Sequence, residues 1–180
     1  MRKIFSSISK HKILIISCLL SILFGSIVFA FLFGINVINP LNDSWIIENR
    51  HHDLSQGYVA WEFFRDANWR FPLGMFNDLS YPTETSIINV DPIPLLAVFF
   101  KSLSPILPNK FQYFGIYGLM CYILTSLFGM LLIYKYSSKT VLGVTNSILA
   151  GVLFALAPSI CFKLYVHNEG KRYKSFFYKY

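Results

Sequence analysis

The chain has 180 residues, of which 54% are hydrophobic, 18% aromatic and only 14% charged, with a formal net charge of +7. An ordinary soluble domain carries about a quarter charged residues, so the composition excludes that class and indicates a multi-pass membrane protein. Most of the basic charge lies at the two ends and beside apolar runs, where it meets lipid head groups; it is not the patch interleaved with exposed aromatics that nucleic acid requires, and no nucleic-acid partner is expected.

Residues 1–12 carry Arg2, Lys3, Lys10 and Lys12 and no acid, which predicts a basic cytoplasmic N-terminus. The run 13–33 has 21 residues without a charge. As a helix it is about 30 Å long, one hydrocarbon thickness. A cleaved signal peptide would have an apolar region of only about 7–15 residues, so an uncleaved span is favoured. The loop 34–112 then lies outside.

That loop opens on the turn Asn39-Pro40-Leu41-Asn42-Asp43. It holds eight of the nine carboxylates: Asp43, Glu48, Asp53, Glu62, Asp66, Asp78, Glu84 and Asp91. If the chain has chemistry, it belongs here. Asp53 precedes a helical pattern of Leu54, Tyr58, Trp61 and Arg65, and with Gln56 it resembles a capping box, with Asp in place of the usual Ser or Thr. Gly74, Pro82 and the Ser/Thr cluster Ser80 to Ser86 predict irregular chain. Asp91 followed by Pro92 predicts an N-cap with proline at the first helical position. The apolar segment 93–107 behind it is broken by Lys101 and Pro105, and reads as an interfacial helix or a fourth span.

The uncharged runs 113–134 and 141–162 predict a second and a third span. Gly143, Ser147, Ala150, Gly151 and Ala155 supply close-packing positions in the third. The basic tail 163–180 would lie outside in a three-span topology, against the positive-inside preference, and is read as truncated context. Cys18, Cys121 and Cys161 all fall in apolar runs, with no CxxC or Cys/His cluster, so neither a disulfide nor a zinc site is expected. The chain also lacks a P-loop, GxGxxG, HExxH or GxSxG. The fold class is therefore all-α and polytopic: three transmembrane helices, an interfacial or fourth helix, and a large external first loop.

Several motifs carry a resemblance. Asp53-x-x-Gln56 leads into Trp61-x-Phe63-Phe64-Arg65, then Trp69-x-Phe71-Pro72-Leu73-Gly74, then Asp91-x-Ile93-Pro94-Leu95-Leu96-Ala97 with Lys101, and later Phe111-Gln112-Tyr113-Phe114-Gly115. Together they resemble the N-terminal part of an uncharacterised bacterial family of large multi-pass membrane proteins, grouped with the C-type (GT-C fold) glycosyltransferases. The resemblance covers residues 13 to about 169. It departs from the family pattern at Gly57, where the pattern has histidine, and at Ala60, where it has glycine.

The resemblance implies sugar transfer from a polyprenyl-phosphate donor at the outer face of the bacterial cytoplasmic membrane, with the N-terminus cytoplasmic. It assigns catalytic acids to Asp53 and Asp91, one a general base or metal partner. A divalent metal is left open, and so are its ligands; His51 and His52 beside Asp53 are more simply an exposed loop pair. Gln56, Arg65, Arg70 and His167 are candidate substrate contacts, the arginines because guanidinium matches phosphate bidentately. The competing account gives both arginines to Glu62 or Asp66, both aspartates to helix caps, and His167 to the solvated interface. Trp45, Trp61, Trp69, Phe63, Phe64 and Phe71 could stack on sugar or lie on the membrane surface. The short chain is expected to be inactive alone. The alternative is a non-catalytic membrane subunit whose loop binds a partner protein or a lipid-linked glycan. A transporter fragment is disfavoured, since the predicted spans hold no charge.

Overall fold

A computed structural model describes residues 2–48, 53–77, 79, 82–90, 92–138 and 140–157, with side chains from residue 11 onward except that of Asp53. The chain order is helix α1 (Arg2–Phe33), a 3-10 turn (Ile35–Ile38), α2 (Ser44–Ile47), α3 (Asp53–Asp66), strands β1 (Met75–Phe76) and β2 (Thr85–Ser86), a 3-10 turn (Ile87–Val90), α4 (Pro94–Ser102), a 3-10 turn (Ser104–Ile106), α5 (Phe114–Tyr136) and α6 (Val141–Ala155). The fold is thus mostly helical, as expected. The described residues form two compact units: 2–39 with 114–157, and Pro40–Tyr113.

The first unit packs α1, α5 and α6 against one another. Two of these helices are long and apolar enough to cross a membrane, over His11–Phe33 and Phe114–Tyr136. Only 22% and 28% of their most apolar stretches are buried, whereas the core helix of a soluble protein would be mostly buried. The third expected span is described as 15 residues, Val141–Ala155. Residues 158–162 of that expectation, Pro158 among them, lie outside the described residues.

Small residues explain how these helices meet. Ser17, Ser21, Gly25 and Phe29 repeat every fourth position on α1 and are buried. Gly143, Ser147, Gly151 and Ala155 do the same on α6. Of the five predicted close-packing positions only Ala150 is turned partly outward. Residues four apart stack on one helix face, so each row makes a shallow groove into which a neighbouring backbone can settle. The hydroxyls of Ser21 and Ser126 each donate to the other's backbone carbonyl at 2.9 Å. A methyl group at Gly151 would stand 2.5 Å from the Ser126 carbonyl oxygen and 2.9 Å from Ser21 Oγ. Meanwhile Leu19, Leu23, Ile27 and Phe31 face outward on α1, and Phe128 and Leu132 on α5. A water-soluble bundle would bury those residues first.

The second unit has an aromatic core: Tyr58, Trp61, Phe64, Phe76, Phe111 and Tyr113 are all buried. Trp61 packs edge-on against Tyr113 with centroids 5.1 Å apart, and its indole N–H donates to the Phe111 carbonyl at 3.0 Å. The stretch predicted to be irregular contains a short antiparallel ladder, Met75 opposite Ser86 and Phe76 opposite Thr85. Gly74 makes it possible. Its φ of 100° suits glycine, its carbonyl accepts from Ile87 N at 2.8 Å, and a Cβ there would meet Ile87 Cγ2 at 2.8 Å.

The unit's two chain ends are joined, because Gln112 N donates to the Pro40 carbonyl at 2.8 Å. α4 has nine residues, about 14 Å of helix and less than half a hydrocarbon thickness. It starts at Pro94, so the reading of Asp91 as its cap with Pro92 at the first helical position is corrected. Ile93 occupies the cap instead, at φ 58° and ψ 75°, and its carbonyl accepts from Leu96 N and Ala97 N. That conformation is strained for a β-branched residue. The Tyr113 hydroxyl, donating to the Pro92 carbonyl, holds the segment in place.

Candidate functional site

α3 carries most of the predicted site, and its amphipathic spacing fixes which side chains reach the surface. Tyr58, Trp61 and Phe64 turn into the core at three-residue steps, leaving Gln56, Glu62, Phe63 and Asp66 exposed. Asp53 is the helix's first residue, where the capping-box reading put it one position outside. Either placement sets Asp53 at the N-terminal, positive end of the helix dipole. Gln56 shares that first turn. Arg65 lies twelve residues further on, about 18 Å away along the axis. The structure therefore does not bring Asp53 and Arg65 together.

The two arginines are occupied differently from either expectation. Arg65 donates through Nη1 to the Asn109 carbonyl at 2.9 Å and through Nη2 to the Leu107 carbonyl at 3.3 Å. It clamps the end of α3 to the segment that leads back to Gln112. Arg70 pairs with Glu84 at 2.7 Å, with both side chains about half exposed. Neither Glu62 nor Asp66 is its partner in that bond. Asp91, His167, His51 and His52 lie outside the described residues. Of the aromatic candidates, Trp61 and Phe64 are sealed in the core, while Phe63, Trp69 and Phe71 are open.

Lys101, which reads in the sequence as a break in an apolar run, has a structural task. It is only 4% exposed. Its Nζ donates to the Phe64 and Ala67 carbonyls at 2.5 and 2.8 Å, at the C-terminal end of α3. The ammonium also lies 4.1 Å from the Phe64 ring centroid and 4.9 Å from that of Trp69. A cation is favoured at that end of a helix and over an aromatic face, which is how a lysine is accommodated in this core.

One polar group escaped the sequence reading. Tyr58 is buried, and its hydroxyl donates to Asp43 Oδ2 at 3.4 Å. Lys110 Nζ stands 3.8 Å from the same oxygen. Burial, then the hydrogen bond and charge of Glu62, then Asp43 push the Tyr58 phenol well above its ordinary pKa. The shift favours the protonated phenol, the form that donates to Asp43. The available signal was Tyr58 and Glu62 at a four-residue step, one helical turn apart; Asp43 could be added only from the fold. Among the described residues no group of three or more His, Cys, Asp or Glu is placed to hold a metal ion.

Fold and site thus define a mostly helical protein with two membrane-length apolar helices and a polar unit between them in sequence. The chain belongs to the family described as "Domain of unknown function (DUF6311)", whose model matches residues 22–169. No curated protein and no solved structure matches it.

Proposed function

We propose that the chain is the membrane-embedded N-terminal part of a C-type glycosyltransferase-like protein, with three spans and its 34–112 loop on the outer face of the bacterial cytoplasmic membrane. In this reading the loop meets a polyprenyl-phosphate sugar, and Asp53 takes the proton of the acceptor hydroxyl, with Asp91 as the second acid. Gln56, in the same helical turn as Asp53, contacts substrate, and His167 contributes from beyond the third span. Further helices would complete the donor site, so the chain alone is inactive. One observation carries this reading: eight of nine carboxylates lie in or beside a folded polar unit whose two ends run into apolar helices.

In a second reading the unit binds a lipid-linked glycan or a membrane partner without catalysis, and one observation favours the membrane partner. Both arginines expected to hold phosphate are engaged, Arg65 by two backbone carbonyls and Arg70 by Glu84.

The test uses membranes containing the chain and a photoactivatable polyprenyl-phosphate sugar, with excess unlabelled polyprenyl phosphate as competitor. Competed labelling of 34–112 supports a donor site, and its absence removes both lipid-linked readings. Transfer is then assayed in membranes that also contain the rest of the protein. Loss of transfer in Asp53→Asn with labelling retained favours catalysis. Transfer unchanged in Asp53→Asn overturns the assignment of Asp53.

A further inference from the structure

We propose that the outer face of α4 and of the turn after it, formed by Leu95, Phe99 and Ile106, lies in the plane of the bilayer surface with its side chains among the acyl chains. This goes beyond the sugar-transfer reading and does not depend on it; it requires only that α1 and α5 cross the membrane.

Three side chains of this face are unusually open: Leu95 is 82% exposed, Phe99 55% and Ile106 80%. Leu95, Phe99 and Ser102 fall at four- and three-residue steps along one side of α4, and Ile106 is open on the 3-10 turn that follows. The opposite side is fixed to the unit's core. Phe100 stacks on Tyr113 with an interplanar angle of 17° and a centroid distance of 5.1 Å, and also meets Phe111 at 5.1 Å. Ala97 is fully buried and Lys101 caps α3 from within. The open row is therefore held in place rather than left free to fold inward.

Charge decides what covers it. From Pro92 to Asn109 the chain has one charged residue, Lys101, and that residue is turned inward. Nothing charged remains on the outer surface of the segment, whereas a helix facing water carries polar and charged residues there.

Connectivity supplies the lipid. Tyr113, on which Phe100 stacks, immediately precedes α5, and the bond between Gln112 and Pro40 gathers both ends of the unit at one place. α4 is thus anchored on Tyr113, the residue that precedes α5 in the chain. A short helix of this kind sits about 5–10 Å into the boundary between head groups and acyl chains, which is the depth its side chains can reach without crossing.

The experiment reconstitutes the full chain in vesicles of phosphatidylethanolamine and phosphatidylglycerol, with Cys18, Cys121 and Cys161 changed to serine. Single cysteines at Leu95, Phe99 and Ile106 carry an environment-sensitive fluorophore, and lipids brominated at shallow or deep acyl positions quench it. Leu23→Cys reports whether α1 is in the bilayer, and Ile88→Cys, on the 3-10 turn outside α4, is an open apolar position off this face. Shallow bromines are expected to quench all three α4-face positions more than deep ones, with Ile88 unquenched. Three results overturn the proposal: no quenching at the three sites while Leu23 is quenched, strongest quenching by deep bromines (a crossing segment), or protection that disappears on dilution of the protein (a second copy on this face). Leu23 unquenched would overturn it by removing the membrane itself. Since each cysteine replaces an open side chain, folding is retained, and intact trypsin resistance of the 40–113 unit verifies this.

Discussion

The two units differ in what they bury most. In the helical unit serine, glycine and alanine line the helix contacts, with Phe29, Phe114, Tyr122 and Met130 buried beside them, while its leucines lie open or partly open. In the Pro40–Tyr113 unit the interior is tryptophan, tyrosine and phenylalanine, and six of the carboxylates of the loop lie on its described part or at its entrance. The first has no need to hide apolar surface if its surroundings are apolar, so close approach of backbones decides what is buried. The second hides apolar area as a water-soluble domain does, at about 25 cal/mol for each Å². In a membrane one chain would thus be folded by two driving forces, and mutations should separate them.

The largest effect is expected at Trp61. It is fully buried, its ring meets Tyr113, and its N–H satisfies the Phe111 carbonyl. Trp61→Ala should cost about 3–5 kcal/mol and open the 40–113 unit to limited proteolysis in intact membranes. The helical unit should remain protected. Simultaneous loss of both units would show that they do not fold by separate forces.

Next come two replacements of about 1–3 kcal/mol, one in each unit. Gly151→Ala drives a methyl group into the Ser126 carbonyl and Ser21 hydroxyl, an overpacking cost of that order. It should lower the melting temperature of the helical unit in detergent. Lys101→Met fills similar space but leaves the Phe64 and Ala67 carbonyls without this donor, which costs about 1–3 kcal/mol. It should loosen the C-terminal end of α3, read as faster amide exchange at the last turn. If Lys101→Met is neutral, the carbonyls find water and the cap is dispensable.

What the sequence disclosed follows the same division. The apolar runs 13–33 and 113–134 correspond closely to the membrane-length helices His11–Phe33 and Phe114–Tyr136, because length and absence of charge are local properties. The small-residue row on α6 was legible for the same reason. In the loop unit, the helical period around Tyr58 and Trp61 was also visible, since i to i+3 spacing is local. The contacts were not. Lys101 meets Phe64 and Ala67 from 37 and 34 residues away, and Arg65 reaches Leu107 and Asn109 from 42 and 44. The Asp91-Pro92 cap misplaced the start of α4 because a second proline two positions on took the first helical turn and left Ile93 strained before it. Gln56 stands on the first turn of α3 where the pattern put it, and Asp53 lies one position further in, at the helix's first residue, but their chemistry depends on groups the pattern does not supply.

Within the helical unit, Ser21→Ala removes one hydroxyl of the reciprocal pair with Ser126. Interhelical hydrogen bonds in lipid average about 0.6 kcal/mol, so the change should be small by thermal melting in detergent. A loss nearer that of Gly151→Ala would mean the hydroxyls, not the close fit, hold α1 against α5.

The smallest expected effect is at Arg70, and it is informative because it is small. An exposed ion pair contributes about 0.2–1 kcal/mol and is weakened by salt. If Arg70 serves only to pair with Glu84, then Arg70→Ala and Glu84→Gln should each reduce the stability of the loop unit by a similar small amount. Half a molar salt should reduce both differences. A role for Arg70 in holding a lipid-linked phosphate predicts a different pattern. Competed donor labelling would fall in Arg70→Ala and be unchanged or stronger in Glu84→Gln, which frees the guanidinium. Equal labelling in both variants would assign Arg70 to the fold of the unit alone, and leave Gln56, at the other end of α3, as a remaining described candidate for a substrate contact.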